Sequence, residues 1–284
     1  MRTIERFPGS SRLVEEDDFP CASMLLIGPS GIGKTVFAKQ FTYGGLLKGE
    51  PCIYVSTEES PEDVRKSMEA FGFDVAPFTA KNTFRIVDCY SWKLEAASQS
   101  KYAVKHPSDL LSVLKVIDAA KDELRNIRLV FDSITGLTSI CEHNMQDVVR
   151  FLQIFLAKIR AADGNAIFIA VPEAHDPQII SHFRLIFDGI LEMKEDESGQ
   201  QIERLFRIFS LKGASHKTTW TPFEITEKGI VLRRENQLRC EMCSRLIELE
   251  PYVELIAGEK HVFDKPECAS TYKKLKDVYG ETFH

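Results

Sequence analysis

Eight residues, Gly28-Pro29-Ser30-Gly31-Ile32-Gly33-Lys34-Thr35, restrict the fold of this 284-residue chain more than any other stretch. They match G-x-x-x-x-G-K-[ST], a turn between a strand and a helix whose backbone amides cradle phosphates. The glycines let the backbone wrap closely, so that successive N–H groups and a helix amino end face negative charge. In this pattern Lys34 reaches the β- and γ-phosphates and the Thr35 hydroxyl ligates Mg²⁺. Val36 continues the helix, and Gly28 to Val36 together form the candidate ATP-binding segment. The flanks agree with this. Residues 23–28 are a short apolar run, and a helical pattern extends from Lys34 to about Leu47.

The same alternation continues downstream. Cys52 to Ser56, Thr83 to Val87, Ile127 to Asp132 and Ala166 to Val171 read as strands. Pro61 to Phe71, Ser108 to Leu124 and Met145 to Ala161 read as helices. Strands alternating with helices of this length imply a parallel sheet covered on both faces. Ser91 to His106 has weak periodicity and is expected to be a loop or mobile insertion. Beyond Phe187 short strands separated by turns replace the alternation, which implies an antiparallel extension of the sheet. Around Arg233-Arg-Glu-Asn-Gln the pattern lapses into a polar linker. A division into residues 1–235 and 236–284 follows.

Two acidic positions bear on the phosphate cradle. Asp132 ends an apolar strand, where open α/β sheets place ligand-binding residues, and there it can hold Mg²⁺ through water. Its alternative role is to cap the helix begun by Ser133-Ile-Thr-Gly. Glu58 and Glu59 follow the strand after the cradle's helix, and hydrolysis needs a group that orients or activates water beside the γ-phosphate. Spacing alone does not separate that role from a solvated pair.

Composition narrows the function classes. A net charge of −6 argues against gripping nucleic acid through general electrostatics. No run approaches the roughly 18 apolar residues of a membrane span, and the first residues lack a signal-peptide pattern, so the expected compartment is the cytoplasm. Cys21, Cys52, Cys89 and Cys141 are scattered singly and read as small buried hydrophobes.

At this point the chain resembles a family. Gly28 to Thr35, Tyr54-Val-Ser-Thr-Glu-Glu-Ser-Pro-Glu-Asp-Val, Arg128-Leu-Val-Phe-Asp-Ser-Ile-Thr-Gly-Leu, Asp188-Gly-Ile-Leu-Glu-Met and Leu211-Lys-Gly-Ala-Ser-His occur in the order and spacing of KaiC-like ATPases of the RecA superfamily. The resemblance spans about Met24 to Arg233. It implies a RecA-like P-loop α/β fold, with Glu58 as the catalytic glutamate beside Lys34 and Glu59 in support. It also implies ring-shaped or face-to-face homo-oligomers, hexamers among them, in which one subunit serves its neighbour's nucleotide from a Lys-x-Arg-Gly-x-x-His stretch. Here that stretch reads Ser210-Leu-Lys212-Gly-Ala-Ser-His216, with Lys212 where arginine is usual. Lysine's point charge matches phosphate oxygens less well than arginine's fork, which points to slow turnover. The family's Gly-rich leader is replaced by Gly9-Ser-Ser-Arg-Leu-Val-Glu-Glu-Asp-Asp.

The last segment carries a metal signature. Cys240-Glu-Met-Cys243 is a C-x-x-C knuckle, followed after about a hairpin's length by His261-Val-Phe-Asp264-Lys-Pro-Glu-Cys268. Zn²⁺ takes four ligands in a tetrahedron, and three cysteines supply three. The segment resembles TRASH and MYM-type zinc modules, with Asp264 where those modules have cysteine. That spacing favours Asp264 as the fourth ligand, while ligand softness favours His261. A unit of about 45 residues buries too little surface to fold easily without such a staple.

Three functions fit the sequence: an ATP-dependent regulatory switch with a zinc module for an unknown protein partner, a DNA-associated recombinase paralogue, and a non-hydrolysing ATP-binding adaptor. Charge disfavours the DNA reading. Lys101, Lys105 and His106 are its best candidate contacts.

Overall fold

The structure, a computed structural model, describes residues 13–14, 23–94, 98, 100–141, 145–197, 202–233, 240–243, 245, 247 and 251–279. Cys21, and the leader from Gly9 apart from Leu13 and Val14, lie outside them, as does the polar stretch after Arg233. The chain divides into two compact units, Met1–Leu232 and Arg233–His284.

Among its described residues the first unit is an α/β sheet of nine strands. β1 (Ser23–Ile27), β2 (Cys52–Ser56), β3 (Phe84–Asp88), β4 (Arg128–Asp132) and β5 (Asn165–Ala170) run parallel. β6 (Gly189–Asp196) joins β1 in parallel. β7 (Glu203–Leu211), β8 (Thr221–Thr226) and β9 (Gly229–Leu232) then extend the sheet antiparallel. The order is β3-β2-β4-β5-β1-β6-β7-β8-β9. The mainly parallel sheet with an antiparallel extension is thus the architecture found.

Around it lie α1 (Lys34–Leu47), α2 (Pro61–Ala70), α3 (Ala76–Ala80), α4 (Leu110–Lys121), α5 (Ile134–Thr138), α6 (Met145–Arg160) and α7 (Pro177–Ile186). Successive strand residues point to opposite faces. Met24 and Leu26 accordingly pack with Phe37, Phe41, Val64 and Met68 of α1 and α2. Leu25 and Ile27 join Val113, Ile117, Phe151, Phe155 and Phe183 of α4, α6 and α7. Each such side chain, fully buried, contributes roughly 1.5–3 kcal/mol. Both faces of the central strands are therefore dry, which explains their unbroken apolar runs.

Register fixes where the site is. Ile27 lies opposite Ala170, and Ser56 opposite Asp132. The carboxyl ends of β1, β2, β4 and β5 therefore share one edge of the sheet, and the loops after them meet there.

The stretch from Ser91 to His106 is the irregular loop expected, and among its described residues it is anchored rather than loose. Ser91–Lys93 form a 3₁₀ turn. The Asp88 amide then donates to Tyr102 O and the Val104 amide to Asp88 O, and Tyr102 and Val104 are buried. The apolar anchors hold the segment against β3 without a periodic pattern.

In the second unit β10 (Tyr252–Ile256) and β11 (Glu259–Phe263) form a hairpin, followed by α8 (Pro266–Tyr279). Its core is Cys240, Ile256, Phe263, Cys268, Ala269 and Tyr272. No helix among the described residues is long and apolar enough to cross a membrane.

Candidate functional site

The turn from Gly28 to Gly33 leaves β1 and opens α1. Gly33 has φ 114°, and a Cβ there would come within 2.8 Å of Ile225 Cδ1. At Gly28 a Cβ would meet Met193 O at 2.6 Å, a backbone contact that cannot turn aside. Glycine is thus needed twice, once for conformation and once for close approach. Lys34 is buried, and its Nζ donates to Gly28 O at 2.8 Å and Pro29 O at 2.6 Å. Burial holds its pKa below the ordinary lysine value, against the opposing fields of Asp132, Glu173 and Glu58.

Asp132 ends β4 and is buried. Tyr54, from β2, donates its phenol hydrogen to Asp132 Oδ2 at 2.6 Å, and the Thr35 hydroxyl lies close enough to the carboxylate to lower its pKa. Burial pushes the Asp132 pKa up to about 6, despite Tyr54 and Thr35, which pull it down. Tyr54 itself is driven upward by burial and then by the Asp132 charge. The two expected Mg²⁺ residues therefore stand side by side.

Glu58 and Glu59 face different partners. Ser133 Oγ donates to Glu58 Oε1 at 2.5 Å while accepting the Gly136 amide at 2.9 Å. Thr57 Oγ1 accepts the Ser133 amide at 2.8 Å. The Glu58 loop is thus hung on the start of α5, beside Asp132. Glu59 Oε2 instead pairs with the buried Lys39 Nζ at 2.6 Å, and Lys39 also donates to Ser67 Oγ at 2.6 Å. Glu59 ties its loop to α1 and α2.

Sequence reasoning missed two residues at this edge. Glu173, on the 3₁₀ turn Pro172–Ala174 after β5, acts on Lys34 through its charge. Its position after an apolar strand is the signal that singled out Asp132. Tyr54 was read as a strand residue heading a family-like segment, with no role of its own. In addition, His175 Nε2 meets Thr135 Oγ1 at 2.9 Å, and Thr135 Oγ1 accepts the Val171 amide at 2.9 Å, tying the exits of β4 and β5 together.

Comparison with known proteins bears on this arrangement. Residues 14–237 match the family described as "ATPase: KaiC". The chain belongs to the KaiC ATPase family. It is similar to a UPF0273 protein of Thermotoga maritima, 34% identical over 74% of this chain and 86% of that protein. A UPF0273 protein of Pyrococcus horikoshii is 32% identical over 76% of this chain and 87% of its own. The crystal structure of a KaiC-like protein from Pyrococcus horikoshii matches with a TM-score of 0.64 and 25% identity, over 82% of this chain and 99% of that one.

Within this KaiC-family sheet Lys212 and His216 lie apart from the cradle. Leu211 pairs with Gly189, which pairs with Met24 near the start of β1. Lys212 therefore follows the opposite edge from Lys34, a strand length of roughly 13 Å away. Its Nζ donates to Phe187 O at 2.9 Å. His216 pairs through its backbone with Val14, and its Nδ1 meets Ala214 O at 3.0 Å. The structure does not bring Lys212 to the nucleotide segment of its own chain.

The second unit gathers Cys240, Cys243, Asp264 and Cys268, with one potential ligand atom from each lying within 4.8 Å of every other. Cys268 Sγ and Cys243 Sγ are 3.8 Å apart, and Cys243 Sγ and Asp264 Oδ2 3.7 Å. Asp264 Oδ1 is buried with no hydrogen-bond partner among the described residues. His261 is not among the four. Its Nδ1 meets Glu241 Oε2 at 2.6 Å and its Nε2 meets Lys276 Nζ at 3.3 Å.

Proposed function

We propose that this KaiC-family chain is a cytoplasmic, ATP-binding regulatory switch that hydrolyses ATP slowly and carries a zinc-bound C-terminal unit for contact with a protein partner. One observation carries the reading: Lys34, Thr35, Asp132 and Glu58 converge on one sheet edge, with Thr35 and Asp132 side by side. The amides of Gly28 to Thr35 would wrap the phosphates, Lys34 would hold the β- and γ-phosphates, and Thr35 with Asp132 would hold Mg²⁺. Bound there, Mg²⁺ neutralises phosphate charge and so favours phosphoryl transfer. Glu58, with Oε1 fixed by Ser133, orients water and takes its proton through the other oxygen. Glu59 is spent on Lys39 and supports the loop rather than the chemistry.

Slow turnover is supported by Lys212. A cation on the edge opposite the cradle can serve only another copy's nucleotide, and a lysine there gives a point charge in place of a fork. Nucleotide-dependent assembly of copies, as rings or face-to-face pairs, follows from the same division.

The donor set in the C-terminal unit suits Zn²⁺. A tetrahedron with Zn–S bonds of roughly 2.3 Å has S–S edges of roughly 3.8 Å, and the Cys243–Cys268 separation is 3.8 Å. A cation would also satisfy the orphaned Asp264 Oδ1. Asp264 is thus the fourth ligand, and His261 braces the knuckle through Glu241.

Single-turnover hydrolysis by wild type and Glu58→Gln, with protein in excess of ATP, tests the enzyme reading. Wild type should convert ATP, and the variant should be slower by about 10²-fold or more. Equal rates would sink the role of Glu58. Elemental analysis should find one zinc per chain, absent from Cys240→Ser.

A further inference from the structure

Tyr54 is a buried tyrosine whose partner is the charged group at the end of the neighbouring strand. β2 and β4 are already joined through five paired positions, Cys52 opposite Arg128 to Ser56 opposite Asp132. The pair of strands needs no side-chain tie. Tyr54 lies opposite Val130, and both belong to the core under α1. Asp132, two residues beyond Val130, rises on that same face, and so meets Thr35 at the start of α1. Two residues of strand rise roughly 6.6 Å, about the reach of a tyrosine side chain. The phenol arrives at Asp132 Oδ2 at 2.6 Å, with both groups buried.

We infer that Tyr54 is a positioning residue for magnesium: its hydroxyl fixes the rotation of the Asp132 carboxylate and leaves Oδ1 to serve the Mg²⁺ of bound ATP together with Thr35. A carboxylate without that bond could turn about its last torsion, since this kind of rotor is broad. Residues that orient a metal ligand in this way are worth about 10–100-fold in metal affinity. The inference rests on the Mg·ATP reading above.

The test is calorimetric titration of a non-hydrolysable ATP analogue, once with Mg²⁺ and once with EDTA, into wild type, Tyr54→Phe, Asp132→Asn and the double variant. Tyr54→Phe keeps the ring that fills the core, and its melting curve checks the fold. The expected result is a loss of about tenfold in affinity with Mg²⁺, with affinity in EDTA unchanged. Adding Tyr54→Phe to Asp132→Asn should then cost nothing more, because the two act as one unit. Equal losses in both conditions would mean a structural role and overturn the inference, as would no loss in either. A wild type indifferent to EDTA would overturn the magnesium reading itself, and Tyr54's part in it.

Discussion

Asp132 is held against its own solvation. In the folded chain its pKa stands at about 6, above the ordinary 3.8, and burial is the main cause. A carboxyl raised in this way stabilises the fold most below the unfolded value, and that contribution is lost as pH rises through about 6. Asp132→Asn should therefore gain stability at pH 8 relative to pH 4, by up to about 3 kcal/mol, read from paired melting curves. The same titration bears on binding in the opposite sense. Mg·ATP affinity should fall more steeply in wild type than in Asp132→Asn as pH drops through about 6, because the nucleotide's own phosphate titration is common to both. Gly136 offers a second residue-scale test. A Cβ there would lie 2.2 Å from Thr57 Oγ1 and 3.2 Å from Glu58 Cγ, so Gly136→Ala should lower turnover with nucleotide affinity retained. From sequence Gly28, Lys34, Thr35 and Asp132 stood out through motif spacing and a strand end, whereas Glu58 was set apart from Glu59 only by the family resemblance. Tyr54 did not stand out, since a tyrosine in an apolar strand looks like any core aromatic until its partner is known.

At the scale of elements, two adjacent glutamates on one loop do different work. Glu59 neutralises Lys39, whose side chain is 2% exposed. Removing a buried charge's partner costs about 3–5 kcal/mol, scaled down here because Glu59 is itself a third exposed. Glu59→Gln should therefore lower the melting temperature more than it lowers turnover, and Glu58→Gln should do the reverse. Measuring both quantities on both variants checks the division. Nothing in Glu58-Glu59 itself says which acid faces which helix, and only the three-dimensional position of Lys39 decides it. α7 was missed although Asp176-Pro177 is a helix start, with Asp176 Oδ1 accepting the Gln178 amide. Its ten residues gave too short an apolar repeat. Ser91 to His106 was read as loose because two apolar anchors, Tyr102 and Val104, make no period.

On the scale of the whole molecule, the sheet and the C-terminal unit draw stability from different sources. The sheet has two apolar layers. Among its described residues the C-terminal unit has a core of six, two of them cysteines of the candidate metal site. Chelation should therefore unfold residues 251–279 and leave the sheet intact, as read by hydrogen exchange; uniform protection with and without chelator would contradict a structural zinc. The α/β alternation and the cysteine knuckle were plain in the sequence. The edge on which Lys212 emerges was not, because a linear motif does not record the direction of β7. The claim beneath all of this is a nucleotide site assembled from the ends of β1, β2 and β4. Calorimetric titration of Mg·ATP into the intact protein tests it most directly. One nucleotide per chain, lost in Lys34→Ala, is the expected result. No uptake by the wild-type chain, or uptake unaffected by Lys34→Ala, would contradict it.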